Sequence, residues 1–134
     1  MSNYEEKVIS LLQKDKYKFE REKRFSDLKG GKYRFDFYVS VEGGHAIIEV
    51  NGLQHYEPNP KFYHTRADFE SAKERDRCKI SYCLANNLPI YIIPCWELEN
   101  MSSAAELFNN RFRATNRWKN DLDWQQYKNL TRCR

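Results

Sequence analysis

Hydrophobic and polar positions alternate most regularly between Tyr33 and Tyr56. In YRFDFYV, Phe35, Phe37 and Val39 fall on one face, and Arg34, Asp36 and Tyr38 on the other. In AIIEVN, Ala46, Ile48 and Val50 face one way, and Ile47, Glu49 and Asn51 the other. These are two strands of a hairpin, with Gly43-Gly44 as turn residues. Upstream, residues 3–15 set Tyr4, Val8, Leu11 and Leu12 on one helical stripe, with Ser2 or Asn3 as cap. Residues 17–25 alternate loosely and carry many charges, as edge strands do. Gly30-Gly31 then turns the chain into the Asp36 strand. Downstream, Pro58 and Pro60 exclude regular structure after Tyr56. Phe69, Ala72, Asp76, Ile80 and Cys83 recur at helical spacing and predict a helix over 67–87. The apolar run from Leu88 to Pro94 predicts a fully buried strand reached by a crossover, hence a partly parallel sheet. Ser102 or Ser103 caps a last helix to about Phe112, with Glu106 in capping-box position. The pattern reads αβββαβ, an α/β fold with a central mixed sheet flanked by helices.

The chemistry gathers on the polar face of the hairpin. With their apolar faces together, the strands bring Asp36 and Glu49 out on the same side, at about 5 Å if directly opposed. Carboxylates that close repel and call for a cation, and a hard divalent ion suits oxygen-only ligands. The bland alternative is a solvated sheet face. Against it stands the sharp turn that Gly52 allows, which delivers Gln54 and His55 to the strand end where Glu49 sits. Two carboxylates and an imidazole at one strand end make a metal-and-base site. Asp76 interrupts an apolar helical stripe and needs a partner: Lys79 three residues on, an arginine, or the site itself. Glu5 points along the first helix stripe, with Glu6 as the alternative; acids in a first turn also serve the macrodipole.

Composition narrows the class. With 134 residues, the chain is large enough for one core and too small for two. We divide it into a core over 1–100 and a basic helical extension over 101–134 packed on the same domain. No apolar run approaches the roughly 20 residues of a membrane span, and the polar, acidic start is no signal peptide. The extension holds seven bases (Arg111, Arg113, Arg117, Lys119, Lys128, Arg132, Arg134) against three acids, so the whole net charge of +4 sits there. That asymmetry suits a polyanion partner. Lys61 and Arg66 in the loop, Lys79 on the helix, and Arg111, Arg113, Arg117 and Lys119 in the extension are the expected phosphate contacts. Trp118, Trp124 and Tyr127 stack on bases or cover the core. Cys78, Cys83, Cys95 and Cys133 show no CxxC pairing and read as thiols of a reducing cytosol. A zinc site from Cys78, Cys83 and His64 is the weaker reading.

Three ordered motifs, DFY at 36–38, IE-x-x-G-x-QHY at 48–56 and RD-x-x-K-x-x-YC at 75–83, resemble the Vsr-like branch of the PD-(D/E)XK nucleases, especially phage-type EDxHD endonucleases. The likeness runs from about Tyr4 to Cys95. It implies a restriction-endonuclease-like core and hydrolysis of phosphodiester bonds in double-stranded or branched DNA. It also implies Mg²⁺, replaceable by Mn²⁺, on Asp36 and Glu49, with Glu5, Gln54, His55 and Asp76 completing the catalytic set. Within it fall homing-type endonucleases, nickases and resolvase-like junction nucleases, so the chain either dimerises to cut both strands or nicks one. A virus-encoded protein acting in the host cytoplasm is the expected setting. Position 51 departs from the pattern: the general E-x-K places lysine there and this branch commonly aspartate, but here it is Asn51. A nucleic-acid-binding module with a degraded nuclease site is the competing reading.

Overall fold

The protein is seen in a computed structural model that describes residues 3–52 and 66–114. Helix α1 (Asn3–Lys14) leads to strands β1 (Phe19–Lys23), β2 (Phe35–Val41) and β3 (Gly44–Asn51), followed by helix α2 (Arg66–Ala85) and strand β4 (Ile90–Pro94). The four strands form one mixed sheet in the order β1-β2-β3-β4, with β1, β2 and β3 antiparallel and β4 parallel to β3. The fold is therefore α/β, with two helices on a mixed sheet. Among the described residues no helix is long and apolar enough to cross a membrane.

The two helices serve different faces. Arg21 lies opposite Phe37 in the register and reaches Glu5 on α1. Val8, Leu11 and Leu12 are buried in the same core as Phe37, Val39, Ala46 and Ile48. On the other face α2 lies over β3 and β4, where Lys79 and Ile80 meet Glu49, Asn51, Ile90 and Ile92. β3 is consequently buried on both sides from Ala46 to Glu49, as a strand sandwiched between helices must be.

Element ends are shaped by local chemistry. Helix α1 stops where Lys16 turns left-handed (φ 63°) and the Tyr17 amide donates back to the Leu12 carbonyl at 2.9 Å. Asn87 (φ 53°) does the same after α2, with the Leu88 amide on the Cys83 carbonyl. The hairpin turn is one residue earlier than expected: Val41 pairs with Gly44, so Glu42-Gly43 turn and Gly44 already belongs to β3. Gly43, at φ 82°, carries the left-handed bend.

The expected helix from Ser103 to Phe112 is replaced by two 3₁₀ segments, Ala104–Phe108 and Asn110–Phe112. Asn109 divides them, because its backbone is extended and its side chain accepts the Arg111 amide at 3.0 Å, competing with helical bonding. Glu106 does take the capping role, accepting from the Ser102 and Ser103 amides, and these bonds hold its pKa below the usual carboxylate value. Ala104, Leu107, Phe112 and Ala114 are buried in the common core. The Ala114 amide donates to Ile90, and Arg113 bridges Tyr91, covering the outer edge of β4.

Candidate functional site

The ladder between β2 and β3 is last paired at Phe37 and Ile48. One step further Asp36 and Glu49 face each other, and side chains take over from the backbone bonds. The Asp36 amide donates to Glu49 Oε1 at 2.9 Å, and the Val50 amide donates to Asp36 Oδ2 at 2.9 Å. Each carboxylate is thus held by a main-chain amide of the opposite strand. Glu22 lies opposite Asp36 on β1 with left-handed backbone (φ 54°), and its carboxylate holds Arg34.

Glu49 is buried, at 8% exposure, and so is Lys79, at 9%. Lys79 Nζ donates to Glu49 Oε2 at 2.9 Å and sits 4.9 Å from the centre of the Phe35 ring. Burial pushes the Lys79 pKa down, but the Glu49 charge and hydrogen bond, then Asp36 and Asp76, outweigh it and hold it above the usual lysine value. The ammonium is therefore charged. Asp36 goes the other way for an acid: burial first, and the Glu49 charge second, push its carboxyl up to about 7. The Val50 hydrogen bond and Lys79 pull it back, and Glu5 adds a further upward push.

These groups open on a cleft of about 410 Å³ lined by Asp36, Glu49, Asp76 and Lys79, with Lys32, Arg34 and Arg75 among the other walls. Asp76 faces the site, and the lysine expected beside it is bonded to Glu49 instead. Glu5 is half-buried and paired with Arg21 at 3.3 Å, whereas Glu6 is exposed. Glu5 acts on Asp36 through its field and is not part of the cleft wall. Asn51 is buried beside Glu49 and Lys79.

The expected phosphate contacts disperse. Lys79 lies in the cleft floor. Arg111 is bonded to Glu97 at 2.5 Å in a separate depression beside Trp96, and Arg113 is exposed next to β4. Gln54, His55, Lys61, His64, Arg117 and Lys119 lie outside the described residues, as does the side chain of Arg66. The sequence reading missed Lys32, Arg34 and Arg75, although Arg34 shares the Asp36 face of its strand and Arg75 precedes Asp76. The zinc alternative finds no support in the described part: burial holds the Cys83 thiol up at about 12, and Cys78 is bonded to Glu74.

No family model, curated protein or solved structure matches the chain. The chemistry of the cleft therefore has to carry the functional reading. Among the described residues no cluster of three or more metal-ligating side chains forms. The carboxylate pair nonetheless fits a hard divalent cation. Both donors are oxygen, and each is held by a backbone amide of the opposite strand.

Proposed function

We propose that this chain is a metal-dependent DNA endonuclease or strand nickase with a restriction-endonuclease-like core. The observation that carries the reading is an acidic floor, Asp36 and Glu49 with Lys79 between β3 and α2, beneath a basic rim of Lys32, Arg34 and Arg75. A basic rim attracts a polyanion. Beneath that polyanion the floor sets three acids, Asp36, Glu49 and Asp76, against the Lys79 ammonium, an excess of oxygen donors that suits a hard cation. Floor and rim together therefore suit a phosphodiester bound over a divalent ion.

Asp36 and Glu49 would hold Mg²⁺ or Mn²⁺, which when bound neutralises charge on the phosphate and makes water a stronger nucleophile at neutral pH. Lys32, Arg34 and Arg75 hold the phosphates on either side of the scissile bond. Lys79 supplies the positive charge that the E-x-K pattern places two residues after the glutamate, where this chain has Asn51. The charge comes from the helix instead of the strand, which weighs against a degraded, purely binding module. His55 accepts the proton of the attacking water, and Gln54 and Asp76 position it. A virus-encoded setting, a cytoplasmic site of action and a dimer cutting both strands belong to the same proposal.

The deciding experiment is plasmid cleavage with Mg²⁺ against EDTA, resolved on a gel into nicked and linear products. Cleavage that persists undiminished in EDTA rules the proposal out. For the base, His55→Ala is expected to lower the rate by at least about 10²-fold and to remove a rise of rate with pH near ~6.5. A variant with the wild-type rate and profile would leave His55 no part in proton transfer.

A further inference from the structure

Both oxygens of Glu49 are in use: Oε1 accepts the Asp36 amide and Oε2 accepts Lys79. The lysine reaches it across 30 residues of sequence, although Asp76 lies only three residues back on its own helix. A carboxylate as buried as Glu49 is costly without an opposite charge, and Lys79 is the buried cation bonded to it. A divalent ion that binds Glu49 through Oε2 must share that oxygen with the ammonium or displace it.

We propose that Lys79 is a resident counter-ion, holding the place of the divalent cation on Glu49 so that the fold tolerates a metal-free site. This rests on the reading of Asp36 and Glu49 as cation ligands. The lysine stem has four rotatable carbons and a compact charge, so the ammonium can leave Glu49 without moving α2. Asp76, which also faces the cleft and whose charge Lys79 feels, receives it. Lys79 thus positions Glu49 while the site is empty and weakens metal binding by competition.

Two measurements on the full chain test this: thermal unfolding in EDTA and in Mn²⁺, and Mn²⁺ binding followed by the electron paramagnetic resonance of the free ion. Lys79→Met should lower the Tm in EDTA by roughly 10 °C, since breaking a buried ion pair strands a charge. Mn²⁺ should restore more than half of that loss and bind several-fold more tightly than to wild type. A Lys79→Met chain that folds only with Mn²⁺ present meets the same expectation. The double variant Lys79→Met/Glu49→Gln, with both charges gone, should return to within a few degrees of wild type in EDTA and ignore Mn²⁺. Loss of Tm equal with and without Mn²⁺, a double variant as unstable as the single one, or unchanged Mn²⁺ affinity in Lys79→Met would each overturn the counter-ion role. Absence of Mn²⁺ binding to wild type would instead remove the metal reading beneath it.

Discussion

Replacing Asp36 with alanine is expected to lower plasmid cleavage by on the order of 10³-fold while DNA binding stays within a few-fold of wild type. The loss follows from removing one of two fixed carboxylates: several kcal/mol of transition-state charge stabilisation is worth that much in rate. Binding survives because Lys32, Arg34 and Arg75 are untouched and attract the backbone whether or not the floor is acidic. Asp36→Ala also strips the Val50 amide of its acceptor, so its folding must be checked by circular dichroism. Gel-shift titration beside the cleavage assay reads both quantities. Near-wild-type cleavage would remove Asp36 from the site, and parallel loss of binding and cleavage would make it a structural residue.

How much of this was legible beforehand varies with the kind of information each feature carries. The facing of Asp36 and Glu49 was legible, because strand periodicity fixes which residues share a face and burial of Phe37 and Ile48 fixes the register. The exchange of amide bonds between them was not, since it depends on how the ladder ends and side-chain periodicity is blind to that. Asp76 was legible as an acid on an apolar stripe. Its partner was not: helix spacing offers Lys79, yet packing of α2 on β3 gives that lysine a buried carboxylate 30 residues away. Local rules find neighbours along an element, and tertiary burial decides between them. The last helix failed for a related reason. Its capping box was real, but Asn109 offered the backbone a local alternative that no stripe of apolar residues reveals.

The same acidic floor should make the protein less stable as the pH rises. In unfolded chain the Asp36 carboxyl titrates near its ordinary 3.8, and in the folded protein near about 7. Below 3.8 both states hold the proton. Between 3.8 and about 7 the folded state binds more protons, so stability falls with rising pH across that window and the loss is complete above it. The span corresponds to roughly 4 kcal/mol at most. Asp36→Asn cannot ionise and still offers an oxygen to the Val50 amide. In EDTA it should therefore match wild type at pH 4 and exceed its Tm by roughly 5–15 °C at pH 8. Comparing the two proteins cancels other titrating groups that the substitution leaves unchanged. Mn²⁺ should flatten the wild-type decline, because a bound cation favours the ionised carboxylate, and should leave Asp36→Asn nearly unmoved. Equal Tm values at pH 8, or a wild-type Tm that is flat from pH 4 to 7, would show that burial does not hold the Asp36 proton.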